Sequence, residues 1–223
     1  MKTRIIIILS ILAILLTSVL TVAASDESVF AQVGQYLKDF FSNEQQISEI
    51  EGTSDLAATY HDNIITRSVL DLHRKTRILL FNESVDNLSD YQLVNMLVKD
   101  MMLHEEAERL GLSATQAEID NLVNETKRTY EEYPEIKEVL DDYCKGAEIS
   151  IDDYFALIEN SAPALLATGK LRTEIGRQYC EENGIAFSAS NPSQEVLDAI
   201  EDYFDVLFEE NKDQIVYYID VEA

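Results

Sequence analysis

Tryptophan is missing from this chain, and glycine and proline are scarce, seven and three in 223 residues. The missing indole removes the usual aromatic lining of a sugar groove, so paired carboxylates do not read as a glycosidase site. Few glycines and prolines, together with little strand-like alternation, argue against a turn-rich all-β fold and for a mainly helical one. Basic residues are also few: 17 Lys and Arg stand against 42 Asp and Glu, a formal net charge of −25. Phosphate backbones would be repelled, so nucleic acid is not an expected partner. Solubility is the plain reading of that charge, and attraction to basic or unfolded cationic segments is the sharper one. No D-x-D-x-D-G loop is present to build a tight calcium site.

The two cysteines, Cys144 and Cys180, leave two readings open. In an oxidising compartment they permit one disulfide, and two small buried hydrophobes fit equally well. Such a compartment is expected from the N-terminus. Lys2 and Arg4 precede the apolar run Ile5 to Leu16, and Val22 and Ala24 suit a signal peptidase site. Residues 5–24 are also about long enough to span a bilayer, which takes roughly 20 apolar residues. Export is expected either way, to the cell surface or beyond it. Contact with a membrane runs only through this segment, if it is retained. The expected division is a signal or anchor at 1–24, an amphipathic helix and polar linker at 25–54, and a helical domain at 55–223.

Val29, Phe30, Val33, Leu37, Phe40 and Phe41 fall on one side of a helix, and Ser42 to Ser54 reads as the linker. "LAATYHDNIIT" reads as an extended pair turning at His61-Asp62-Asn63. Thr66 can cap the basic helix that runs towards Phe81, and Ser89 the helix from Tyr91. That helix is apolar nearly all round in its middle and stops at Gly111, the expected left-handed position. Ser113 and Gln116 form an S-x-x-Q capping box for the next, which carries Ile119, Leu122, Val123 and Tyr130 inward. A short helix is expected from Glu135 to Lys145, ending at Gly146. Ser150 then caps one helix and Pro163 opens another, with a last one capped at Ser193. The closing "QIVYYIDV", Gln214 to Val221, is a strand that can pair with Leu56 to Tyr60.

Chemistry is thin along this chain. His104 and Glu108 share a helix face, but two ligands make no metal site and there is no H-E-x-x-H. Adjacent acids such as Asp141-Asp142, Asp152-Asp153 and Glu181-Glu182 point apart on a helix and read as solvated faces. No catalytic residue, metal ligand or cofactor is expected.

The order of elements carries a resemblance. "LAATYHDNIITRSVLDL" resembles the opening of the SurA N-terminal family, which includes PrsA-like foldases. "YQLVNMLVKDMMLHEEAERLGLSATQAEIDNLVNETK" resembles its most characteristic segment, through Leu97, Met101, Leu103, Glu106, Ala107, Gly111, Leu112, Thr115, Glu118 and Ile119. "SIDDYFALIEN" and the helix ending "YCEENG" are similar to later family segments, so the likeness runs from about Asp55 to the end. It implies a mainly α, multi-helix peptide-binding domain with an early strand paired to a C-terminal one. It also implies a chaperone-like function: holding unfolded or extended polypeptide segments. Members with peptidyl-prolyl isomerase activity carry a parvulin domain that would begin where "DQIVYYID" begins. The sequence ends three residues after that strand, so isomerase activity is not carried over as the first expectation.

Beside the resemblance, Met96, Met101 and Met102, with Tyr154, Phe155, Leu157, Leu165 and Leu166, are candidates to line an adaptable apolar cleft. Core packing is the simpler reading of each. Self-association through the helix at Val29 to Phe41 is the alternative from a different class, a structural module at the cell surface.

Overall fold

The structure is a computed structural model that describes residues 28–47, 55–81, 83–84 and 88–220, with side chains of the first helix described from Val29 to Phe40. The signal segment and most of the expected linker lie outside the described residues. Seven helices and three short strands follow in order: α1 (Ser28–Ile47), β1 (Leu56–Tyr60), β2 (Asn63–Thr66), α2 (Arg67–Phe81), α3 (Asp90–Arg109), α4 (Gln116–Glu132), α5 (Pro134–Ala147), α6 (Ile151–Asn183), α7 (Gln194–Asn211) and β3 (Ile215–Tyr217). The fold is mainly helical, as the composition indicates. No described helix is long and apolar enough to cross a membrane.

β1 and β2 form the expected hairpin. Its turn bends through His61, which takes a left-handed conformation (φ +49°) that a non-glycine residue adopts only under local constraint. β3 pairs antiparallel on the other side of β1, with Tyr60 opposite Ile215 and Ala58 opposite Tyr217. The late strand therefore meets the early one, as its sequence suggests, and closes the helical body between them.

Local signals set several helix ends. Ser89 Oγ accepts from the Gln92 backbone N–H while the Gln92 side chain accepts from the Ser89 N–H, so two orphan donors of α3 are satisfied at once. Gly111 (φ +72°) ends the turn after α3, and the Leu112 N–H reaches back to the Ala107 carbonyl at 2.9 Å. The next cap differs from the S-x-x-Q expectation. Thr115, not Ser113, caps α4, with Glu118 as its reciprocal partner. Thr115 and Glu118 are themselves a T-x-x-E capping box, and the Lys170 ammonium adds contacts to the Ser113 carbonyl, at 3.0 Å, and the Glu118 carboxylate, at 2.7 Å.

Gly146 does not end α5. The helix continues to Ala147, and Glu148 takes the left-handed position (φ +54°). The glycine serves packing instead. A Cβ on Gly146 would stand 2.0 Å from the Ala31 carbonyl oxygen, and one on Gly34 only 2.2 Å from that of Tyr143. α1 and α5 thus cross with their backbones nearly touching. α1 also runs to Ile47, six residues beyond Phe41, into the stretch expected as linker. Its apolar face belongs to the main core, with Phe30, Val33, Leu37 and Phe40 buried there, so that face is already covered within one chain.

α6 is one 33-residue helix, about 50 Å long at 1.5 Å per residue, rather than two helices divided at Pro163. Proline inside a helix forfeits one hydrogen bond. Here Pro163 and Glu159, the residue whose carbonyl it leaves without that bond, are both exposed. Packing on both sides of the proline holds the helix together. Tyr154, Phe155 and Ile158 enter a first core cluster with α1, α2, α3, α5 and the sheet. Ala167, Leu171, Ile175 and Cys180 enter a second with Leu103, Ala107 and the α7 residues Val196, Ile200 and Phe204. Cys144 lies in the first cluster and Cys180 in the second, both as free, buried thiols. The disulfide reading is corrected on that ground: the two sulfurs serve separate cores.

Candidate functional site

The residues expected to line an open apolar groove do not form one. Met101 and Met102 are 1% and 2% exposed, Tyr154 2% and Phe155 8%. The reason lies in the neighbours. α3 is covered by α2, α6, α7 and β1, so its all-round apolar middle has no free side. Tyr154 stacks edge-on against Tyr143 and Phe155, and Lys127 caps the Phe155 ring at 5.2 Å. Met96 and Leu157 are half-buried against the same cluster, and Leu165 and Leu166 are half-buried on α6.

Among the described residues a cleft lies between the end of α3, the β1–β2 turn and the second half of α7, and encloses about 430 Å³. That volume is within the usual range for ligand pockets. Val206, 56% exposed, and Leu207 supply apolar surface, with the buried Met102 beneath them. Tyr60 and Tyr203 face it with their phenols, and Glu105, Glu106, Arg109, His61, Glu210 and Asn211 bring charge and polarity. Of the eight candidates named from sequence, only Met102 reaches this cleft.

Helical geometry sends the three consecutive residues His104, Glu105 and Glu106 to three different tasks. His104 is half-buried, its Nε2 3.6 Å from Glu108 one turn on and its Nδ1 buried without a hydrogen-bond partner. Glu106, 7% exposed, accepts both N–H groups of the Arg109 fork, at 2.6 and 2.7 Å, and the Tyr203 hydroxyl at 2.6 Å. These bonds, Arg109 first, lower its pKa, while burial and the same carboxylate push the Tyr203 phenol up to about 12. Glu105 takes the Tyr60 hydroxyl at 3.1 Å and sits 3.2 Å from His61 Nδ1. Burial, then the Glu105 charge, raises the Tyr60 phenol well above its ordinary value.

His61 is clasped on both ring nitrogens. Nε2 lies 2.5 Å from the Gln214 side-chain oxygen, and that amide is oriented by its own NH₂ donating to Asn211 at 2.8 Å. Two acceptors, one on each nitrogen, suit an imidazolium that donates to both. The pKa of His61 is raised accordingly, by the Gln214 bond first and then by Glu105. With both nitrogens committed, His61 is a structural tie from the hairpin turn to α3 and the C-terminal segment rather than a free base.

No protein-family model, curated protein or solved structure matches the chain.

The cleft residues were out of reach of sequence reasoning because its partners are distant, 44 positions apart for His61 and Glu105 and 97 for Glu106 and Tyr203. The one local hint was His61 in a two-residue turn. Among the described residues no group of three or more His, Cys, Asp or Glu is placed to hold a metal ion. The cleft is lined by no serine, threonine or cysteine, and its phenols are held protonated. It presents an aliphatic wall, aromatic edges and a negative rim.

Proposed function

We propose that the protein is an exported, chaperone-like module of the SurA N-terminal kind that holds extended polypeptide segments without acting on them covalently, the segment seated in the cleft between α3, the hairpin turn and α7. The observation that carries this reading is the cleft itself, an open recess whose aliphatic wall includes the half-exposed Val206. Large exposed apolar side chains on a folded chain mark contact surfaces when they line a concavity. Two further features support it. The sheet joins an early hairpin to a late strand, as the resemblance implies, and the N-terminal run after Lys2 and Arg4 suits a segment that directs export. The surrounding negative charge keeps such a binder soluble while part of its apolar surface stays open.

The test is aggregation of a reduced or heat-unfolded client followed by light scattering. Stoichiometric amounts of the protein suppress it, and Val206→Asp, which places a charge on the cleft wall without touching the core, removes most of the protection. Scattering unchanged at excess wild-type protein would refute the proposal.

A further inference from the structure

Resting on the polypeptide-binding reading, we infer that the cleft selects segments in which a lysine or arginine stands beside an aliphatic side chain. The argument begins with which charges are already satisfied. Glu106 has both oxygens on the Arg109 guanidinium and a third donor in Tyr203, so its charge and that of Arg109 are spent on one another. The charge of Glu105 is likewise offset by the His61 imidazolium, but its hydrogen-bonding capacity is not used up: each of its oxygens has a single donor, Tyr60 on one and His61 on the other. A carboxylate oxygen has two acceptor sites, so each keeps one free. Glu210 is freer still: it is exposed at the rim and has no hydrogen bond or ion pair among the described residues.

An entering segment therefore meets two carboxylates able to accept, beside Val206 and Leu207. A neutral apolar segment would fill the wall but strip water from Glu105 and Glu210 without replacing its hydrogen bonds, which opposes binding. An acidic segment would meet like charge at the rim and the field of a chain with a net charge of −25. A lysine or arginine answers both conditions. Its long aliphatic stem lies along Val206 while the cationic head reaches the carboxylates, and the adjacent aliphatic side chain occupies the wall towards Leu207. Clients emerging unfolded expose such mixed stretches, which a purely apolar groove would not tell from any other greasy segment.

The experiment is fluorescence anisotropy with the full chain and three short labelled peptides that differ only at a central position, Lys-Leu, Gln-Leu or Glu-Leu. At about 50 mM salt the lysine peptide binds about fivefold more tightly than the glutamine one, the scale of one exposed ion pair, and the glutamate peptide binds weakest. At about 500 mM salt the three converge. Glu210→Gln lowers the lysine-to-glutamine ratio to about twofold. Glu131→Gln, an exposed carboxylate on α4 that lines no part of the cleft, preserves the ratio. Equal binding of the lysine and glutamine peptides at low salt overturns the selectivity and leaves the polypeptide-binding reading intact. Equal loss of the ratio in both variants assigns the preference to the net charge of the chain and overturns the cleft as its source. No binding of any peptide overturns this inference together with the reading beneath it.

Discussion

His73 is the group through which mild acid should weaken this fold. It sits on α2 at 3% exposure, and neither ring nitrogen has a hydrogen-bond partner. Burial lowers its pKa to about 4, with Arg77 opposing a second positive charge and Glu83 favouring one. Glu83 is already occupied, accepting from Arg77 Nε at 2.9 Å. In the unfolded chain the same imidazole titrates near its ordinary 6.5. As pH falls through that value the unfolded state takes a proton that the folded state refuses, so stability falls with it. The loss begins near pH 6.5, ends near pH 4, and amounts to about 3 kcal/mol over that span. Against a typical total of about 5–15 kcal/mol this is a large share.

Two other groups of ionisations fall elsewhere. His61 has a raised pKa, so what it contributes is complete below its unfolded value and is lost as pH rises. Glu118 and Glu174, held at about 2 by Lys170 and Arg177, contribute stability above the ordinary carboxylate range that is lost only as pH falls below it. Urea unfolding of wild type and His73→Phe, followed by far-UV circular dichroism at pH 7, 5.5 and 4.5, isolates the effect. The variant removes two unsatisfied buried nitrogens, so it is the more stable protein at pH 7 by about 1–3 kcal/mol. Its advantage widens as pH falls, and most of the 3 kcal/mol appears by pH 4.5. A difference between the two proteins that stays constant from pH 7 to 4.5 would refute the reasoning.

The crossing of α1 and α5 makes a test by sign. Gly146→Ala would gain about 1 kcal/mol in helix propensity at an uncrowded site. Here the new methyl would meet the Ala31 carbonyl 2.0 Å away, so a net loss of about 3 kcal/mol and a fall in Tm of about 10 °C are expected by thermal melting. The cysteines give a chemical test. Both are buried and unpaired, and burial pushes the Cys144 thiol up to about 11. Neither should react with a thiol reagent in the native state, both should react in denaturant, and reduction should leave the mass unchanged.

Much of the local structure was legible because its causes span only a few residues. Ser89 with Gln92, Ser150 opening α6 and Gly111 closing the turn after α3 each act within one helical turn, where side chain and backbone meet whatever the rest of the chain does. The cap of α4 is local too: Thr115 and Glu118, three residues apart, bond one another reciprocally, so the competing Ser113–Gln116 reading chose the wrong one of two adjacent boxes. Pro163 and Gly146 were misleading because their surroundings are set by distant packing. A proline reads as a boundary and a glycine as a stop, yet continuous packing carries α6 past the first, and a close backbone crossing accounts for the second.

What the sequence determined by itself is the helical class, the acidic surface and the hairpin with its late partner strand, because periodicity, composition and alternation are properties of short windows. What only the tertiary structure decided is which apolar faces remain open. The methionines and aromatics of α3 and α6 look like a groove or a core equally well in one dimension, since both need the same side chains at the same spacing. Coverage by α2, α7 and the sheet made them core. The open recess arose instead where Tyr60, Glu105 and Tyr203 converge from three distant segments, and convergence of that kind is fixed by packing between elements rather than within any one of them.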